Sequence, residues 1–281
     1  MTDLTTTTLP TSPAVVPSWR RTLRLGVLLG RLQLKEFFRS RTALVFGLLF
    51  PVFLLILLAS IFDDEIGGTG VTVAQYMTAG VLAISVATAG FSNLAVTLAV
   101  QRDTGRIKRW AATPMPLGSF LIGLFVRTFA IAVAGTAILL AIGVGFYGLD
   151  LPSSGQDRAM FVAVYVLGVS SCSLLGIAFS KLCKNGENAP AVVTPPFLAL
   201  QFISGTFLDY EDLASPIKFV ASLFPLRWMA LGMRSVFLPD SFVSHESGGS
   251  WQRPMVLAVL LAWTVGGFVL ARLTFTWRER S

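Results

Sequence analysis

The chain has 281 residues, of which 54% are hydrophobic and only 13% are charged. Soluble domains usually carry roughly 25% charged residues. The net charge of +7 raises the question of nucleic-acid binding, but the basic residues lie beside apolar runs rather than on a soluble face, so we expect no nucleic-acid partner. Several runs reach the ~20 residues of helix that a bilayer core about 30 Å thick requires, which predicts an all-α, multi-pass membrane protein.

The amino-terminal region divides into two parts. Residues 1–17 are rich in Thr and Pro and have no helical periodicity, which predicts a disordered tail. From Ser18 to Arg41, basic side chains alternate with Trp, Leu, Val and Phe near helical spacing. This pattern predicts an amphipathic helix lying in the membrane interface. The alternative is a charged segment that precedes the first span and has no role of its own in the interface.

Six apolar runs predict transmembrane helices. They cover residues 42–62, 73–100, 117–147, 159–180, 189–208 and 255–277. Pro51 should kink the first of them, because proline lacks an N–H and clashes within a helix. The third is long enough to tilt or to project from the bilayer. We treat residues 18–277 as a single transmembrane domain, followed by a short cytoplasmic tail at 278–281.

The segment between the fifth and sixth runs has a different pattern. Residues 213–224 and 226–238 are apolar but too short to span, and Pro225 separates them. Arg227 and Arg234 would be costly in the middle of a membrane. We therefore expect an external re-entrant or interfacial helical hairpin before the last span, because irregular backbone is tolerated at that depth where protein or water surrounds it.

The distribution of Lys and Arg predicts the orientation, because these residues accumulate on the cytoplasmic side. With six spans, sixteen of them fall on the side of both termini and five on the opposite side, while Arg127 lies inside the third run. Both termini should therefore be cytoplasmic, in a protein of the plasma membrane. A seven-span arrangement would place the carboxyl-terminal arginines outside and is disfavoured.

The sequence carries no pattern for chemistry of its own. It has no GxxxxGK[ST] phosphate loop, so we expect no ATP hydrolysis by this chain. One histidine and two distant cysteines do not build a metal site. Ser204 near the end of a run raises the possibility of an intramembrane serine protease, but no run contains the histidine base that this chemistry needs.

The predicted cytoplasmic loop at 101–116 is the most informative segment. Four cations surround one acid, and two apolar side chains form an edge. These residues are Arg102, Arg106, Lys108 and Arg109 around Asp103, with Ile107 and Trp110 as the edge. A short helix with this mixed surface is suited to docking into a cleft on another protein. A solvated loop that follows the positive-inside rule accounts for the composition equally well.

This loop resembles the segment between the second and third spans in permeases of the type-2 ATP-binding-cassette exporters. That family commonly shows an Arg-Glu-x-Gly pattern, then a basic-hydrophobic helix, then a Thr-Pro or similar turn. The matching residues are Arg102, Asp103 and Gly105, then Lys108, Arg109 and Trp110, then Thr113 and Pro114. Asp103 stands where the family usually has Glu, so the acid is kept but is one methylene shorter.

The later part of the chain carries a second resemblance to the same family. Residues 202–208, 213–224, 225–229 and 232–234 look like the end of its fifth span and its external hairpin. The amphipathic start resembles its interfacial connecting helix. The likeness runs from about residue 18 to the end and is strongest for the daunorubicin-resistance permeases.

The resemblance implies a permease subunit that binds no cofactor and is driven by two copies of a separate cytosolic ATPase, which would hold ATP and magnesium. A second permease subunit, identical or different, would complete the translocation path for a hydrophobic drug, lipid or related substrate. In this scheme the 101–116 loop couples ATPase motion to the spans. Pro225, Arg227 and Arg234 would belong to the external hairpin and gate.

Two features within the helices can be interpreted either as functional or as without a specific role. Arg127 lies roughly 10 residues into the third run, or ~15 Å along a helix. An intramembrane arginine is a candidate for the substrate path, and snorkelling to the cytoplasmic face is the alternative. Gly26 and Gly30 form a GxxxG pattern, which predicts close helix packing or is a coincidence in a chain with 25 glycines.

Two other functions remain open. An ion-coupled secondary transporter would need a buried acid or histidine as its ion site, and the predicted spans contain no Asp, Glu or His. A non-transporting membrane anchor or assembly factor is compatible with the sequence.

Overall fold

The computed structural model describes residues 18–62, 64–207, 210 and 213–275, so both predicted tails lie outside the described residues. Within these ranges the chain is helical and forms no β strand, apart from one isolated bridge between Glu65 and Thr72. The all-α prediction is therefore confirmed for this part of the chain.

The helices follow the apolar pattern of the sequence. In chain order they are α1 (Trp19–Arg39), α2 (Arg41–Ile61), α3 (Val73–Asp103), α4 (Arg106–Ala111), α5 (Leu117–Tyr147), α6 (Gly155–Leu182), α7 (Ala189–Ile203), α8 (Ser215–Leu223), α9 (Pro225–Phe237) and α10 (Arg253–Thr274). Short 3₁₀ segments at Asp240–His245 and Ser247–Gly249 precede α10.

Among the described residues, five helices are long and apolar enough to cross a membrane, namely α2, α3, α5, α6 and α10. These match five of the six predicted spans. The remaining one, predicted at 189–208, ends at Ile203 after 15 residues, or about 22 Å at 1.5 Å per residue. Gly205, two residues later, takes a positive φ of 77°, a conformation that does not continue a right-handed helix. The sixth span therefore stays a prediction.

Two of the long helices contain a π turn. In α2 the π turn at Val45–Leu49 ends two residues before Pro51, so the disturbance expected from the missing proline N–H takes this form. In α3 the π turn covers Thr88–Ser92. There a Cβ built on Gly176 of α6 would lie only 2.6 Å from the carbonyl oxygen of Gly90. The two backbones meet at small residues, as helices commonly do in membranes.

Close packing also joins α1 to α5. A Cβ on Gly26 would lie 2.6 Å from Ile122, and a Cβ on Gly30 would lie 2.8 Å from Val126. The GxxxG pattern is therefore a packing surface rather than a coincidence. The predicted amphipathic helix is present as α1, with Ser18 accepting a hydrogen bond from the backbone N–H of Arg21 at its start. Its basic side chains remain exposed.

The hairpin of α8 and α9 reaches far into the bundle. All thirteen residues of α9 are buried, against α3, α6 and α10. At the turn, the Phe224 ring stacks on Trp263 with centroids 6.2 Å apart, and the Trp263 indole N–H donates to the carbonyl of Leu223 over 2.7 Å. Trp263 lies ten residues, or ~15 Å, inside α10. The turn thus lies beside the middle of the last helix.

We expect Gly30→Ala to weaken the α1–α5 contact, because its methyl group would overlap Val126 and overpacking typically costs ~1–3 kcal/mol. The measurement is the thermal unfolding midpoint of the purified chain in detergent. Gly266→Ala in α10 is the matched control, since a Cβ there meets nothing within 4 Å. A midpoint that falls equally in both variants, or in neither, would show that α1 does not depend on this glycine.

Candidate functional site

The 101–116 loop forms a short helix that is anchored on one side and exposed on the other. Ile107 of α4 is buried, and the Trp110 ring packs on Phe120 of α5 with centroids 5.4 Å apart. Lys108 and Arg109 point away from this contact and are exposed. The predicted mixed-surface helix is therefore present, with its apolar edge packed against the bundle instead of facing outward.

Both ends of α4 are defined by turn residues. Gly105 precedes the helix with φ 68°, the left-handed region that costs other residues ~1–2 kcal/mol. After the helix, the Thr113 hydroxyl donates to the carbonyl of Trp110 over 2.6 Å, and the exposed Pro114 follows. A side chain at this position would have space, because no atom lies within 4 Å of where its Cβ would be. The left-handed φ is therefore the reason for a glycine here.

Asp103 bonds to a distant segment of the chain. It does not cap α4, whose start has no side-chain hydrogen bond among the described residues. Asp103 Oδ2 instead accepts a hydrogen bond from the backbone N–H of Gly186, over 3.0 Å. Gly186 permits this approach, because a Cβ there would lie 2.8 Å from the Cα of Val100. The carboxylate thus joins the end of α3 to the loop between α6 and α7.

Two arginines make further connections from the same loop. Arg102 donates to the carbonyl oxygen of Ser180 over 2.9 Å and to its hydroxyl over 3.3 Å. Arg106 donates to both carboxylate oxygens of Glu36 in α1, over 2.6 and 3.1 Å. The Arg106–Glu36 pair is largely exposed, so it adds only about 0–1 kcal/mol. Its two hydrogen bonds instead fix the orientation of α4 relative to α1.

Arg127 is buried between three helices. Its side chain is only 5% exposed, and its Nη2 donates to Thr97 Oγ1 of α3 over 3.1 Å. The guanidinium lies 5.6 Å from the ring centroid of Phe37 in α1. This side chain therefore does not extend to an exposed surface. Its contacts explain a structural role at the α1–α3–α5 junction, and a place on the substrate path stays a prediction.

The arginines of the hairpin form a buried charge cluster. Arg234 is fully buried and binds both carboxylate oxygens of Glu246 through Nε and Nη2. Its Nη1 donates to the carbonyl of Gly205 over 2.9 Å. Arg227 lies 3.9 Å from the same carboxylate and 3.9 Å from the ring centroid of Tyr210.

The three residues predicted to belong to the external hairpin and gate, Pro225, Arg227 and Arg234, are all buried within the protein. Arg234 joins α9 to the turn after α7 through Gly205, and Glu246 joins it to the segment before α10. The two arginines therefore hold the hairpin to its neighbours, and a gating role stays a prediction.

Sequence reasoning did not identify the partners of these residues. Glu36 had a usable signal, because it is the one acid in the basic stretch from Ser18 to Arg41. Gly186, Ser180 and Glu246 had none, because their roles depend on which distant segments meet in the fold.

Taken together, long apolar helices and a basic loop packed on their ends define a multi-pass membrane protein. Residues 25–238 match the ABC-2 type transporter family, and the chain belongs to that family. The match begins within α1 and includes the 101–116 loop and the hairpin. The chain accordingly carries the transmembrane part of a transporter. Permeases of this family normally work with an ATPase partner. No curated protein matches the chain.

We expect Glu246→Gln to destabilise the protein strongly. Removing this carboxylate takes away a counter-charge that both Arg227 and Arg234 contact, and breaking a buried pair typically costs ~3–5 kcal/mol. The thermal unfolding midpoint in detergent should therefore fall well below that of the native chain. The exposed Glu187→Gln in the loop between α6 and α7 is the control and should leave the midpoint unchanged. Equal midpoints for the two variants would contradict a role for the cluster in holding the hairpin.

Proposed function

We propose that this chain is the permease subunit of an ATP-driven exporter, paired with a second permease and driven by two cytosolic ATPase subunits that bind ATP and magnesium. The observation that carries the proposal is the construction of α4. Its inner side is anchored through Ile107 and Trp110, while Lys108 and Arg109 are presented outward. A short helix held in this way is suited to transmit a movement of a docked partner to the bundle.

The polar contacts of the loop would transmit that movement to other segments. Arg106 leads to α1 through Glu36, and Arg102 leads to the end of α6 through Ser180. Asp103 leads to the loop before α7 through the Gly186 N–H. A displacement of α4 would thus act on α1 through Arg106 and, through the adjoining end of α3, on the end of α6 and the loop before α7. Tilting several spans together requires connections of this kind.

The proposed topology has six spans, with α7 as the short fifth, both termini in the cytoplasm and the hairpin re-entering from outside the plasma membrane. Charge asymmetry supports the orientation. The position of the hairpin turn beside Trp263 supports re-entry, because the backbone there is surrounded by protein.

The proposed substrate is a hydrophobic drug, lipid or related molecule, as in the daunorubicin-resistance permeases that the sequence resembles, and efflux of this kind would serve antibiotic resistance. An ion-coupled transporter is less well supported. In the described part of the five long helices, the acids are Asp103 and Asp157, both in terminal turns. Asp103 accepts from Gly186, and Asp157 pairs with Arg253 over 2.7 Å, so neither resembles an ion site at mid-membrane.

The topology predicts that cysteines introduced at Ser18 and Ser250 react from opposite sides of the membrane. Both positions are exposed, and the native Cys172 and Cys183 are buried, so background labelling should be low. The measurement is labelling of intact cells or oriented vesicles with an impermeant maleimide, before and after permeabilisation. Labelling of both positions from one side would exclude the six-span arrangement.

Coupling predicts that Asp103→Ala and Gly105→Val insert normally yet reduce transport at least tenfold. The first loses the bond to Gly186, and the second forces a β-branched residue into the left-handed region. Transport is measured in vesicles containing the ATPase that co-purifies with the tagged chain. Asp64→Ala, an exposed acid before α3, is the control. Wild-type transport in both loop variants would refute coupling through this loop. Failure of any ATPase to co-purify would refute the exporter assignment itself.

A further inference from the structure

An apolar groove opens at the same end of the bundle as the 101–116 loop. It lies between the first turns of α5 and the last turns of α6 and α10, with a volume of about 640 Å³. This size lies within the ~300–1,000 Å³ of small-molecule sites. Its walls are formed mainly by Leu117, Leu121, Phe125, Leu174, Phe268 and Phe275.

Among the described residues that line the groove, one is a cation. Arg272 of α10 is exposed at the groove, and its guanidinium lies 4.6 Å from the ring centroid of Phe268. The contact with an aromatic face holds the charge beside the apolar walls. The groove therefore offers a long apolar surface with a positive charge near the final turn of α10.

Further basic residues lie near the same end of the groove. The Ser119 hydroxyl of α5 donates to the carbonyl of Thr22 in α1, over 3.0 Å. This bond brings the amino-terminal turns of α1 next to Gly118 at the groove. Those turns carry Arg20, Arg21 and Arg24, all exposed. The arrangement favours an occupant with an apolar chain and an anionic head.

We propose that the groove binds an anionic phospholipid, with one acyl chain along the apolar walls and the phosphate at Arg272. The lipid is taken from the cytoplasmic leaflet, which rests on the topology proposed above. A neutral apolar molecule would gain nothing from Arg272, and a cationic amphiphile would be repelled by it. Basic pockets between helices on the cytoplasmic side are suited to such headgroups.

The lipid would act, through two aromatic side chains, on α4, the helix proposed to contact the ATPase. Phe275 lines the groove and stacks on Phe120, with centroids 5.8 Å apart and planes inclined by 26°. Phe120 in turn packs on Trp110 of α4. An acyl chain in the groove supports the Phe275–Phe120–Trp110 contacts that hold α4 in place. The bound lipid is therefore a regulator of coupling and not the exported substrate.

The test compares binding of dioleoyl phosphatidylglycerol and dioleoyl phosphatidylcholine to the full-length chain by native mass spectrometry. The native chain should prefer phosphatidylglycerol. Arg272→Gln should reduce that preference about fivefold, the factor given by ~1 kcal/mol per basic side chain. Arg272→Lys keeps the charge and should keep the preference. Arg39→Gln removes an exposed cation from the far end of α1 and should also keep it.

Two results would overturn the proposal. One is an equal loss of preference in Arg272→Gln and Arg39→Gln, which would indicate general attraction to a basic protein. The other is equal binding of dihexanoyl and dioleoyl phosphatidylglycerol, which would show that no acyl chain occupies the groove. Because the chain is measured without ATPase or transport, failure here leaves the exporter assignment standing, and failure of that assignment does not alter these lipid ratios.

Discussion

Polar groups inside an apolar helix bundle must find their partners within the protein, because the bilayer core supplies none. The turn of the α8–α9 hairpin illustrates the solution. The indole N–H groups of Trp228 and Trp263 donate to the carbonyls of Ser222 and Leu223, each over 2.7 Å. The same requirement explains why Arg234, fully buried, reaches the carbonyl of Gly205 as well as Glu246. Backbone that leaves the helical pattern is therefore tied down by side chains from neighbouring helices.

Small residues complement these polar contacts. Association of helices within a bilayer gains little from the hydrophobic effect, so close backbone approach and packing become the main attraction. Gly30 against Val126, Gly176 against Gly90, and Gly232 against Val164 all show contacts that would not admit a Cβ without displacement. These approaches hold α1, α3 and α9 at short distances from their neighbours.

The loop combines both kinds of contact. Aromatic packing of Trp110 on Phe120 anchors α4, and Arg106 connects it to Glu36 of α1. At the adjoining end of α3, Arg102 and Asp103 bond to Ser180 and Gly186. Each polar contact is individually modest, since an exposed ion pair adds about 0–1 kcal/mol and a hydrogen bond to a charged group about 1.5–3 kcal/mol. Their effect comes from geometry, because together they leave α4 few ways to move without moving the helices attached to it.

Hydropathy and length alone determined the main helices of this protein. The bounds of α5 coincide with the predicted run, because a stretch of 31 residues that is apolar apart from Arg127 and a few small polar residues is too long for a strand. The family was also recognisable, since its motifs lie in contiguous segments. The tertiary structure decided the partners of the charged residues. Glu36 lies 70 residues from Arg106, and Gly186 lies 83 residues from Asp103. It also decided that α9 is buried. The pattern of its arginines predicted an external hairpin, and the fold adds that these arginines lie inside the protein beside Glu246. Local sequence sets which helices form, but a pairing between distant residues depends on how those helices pack.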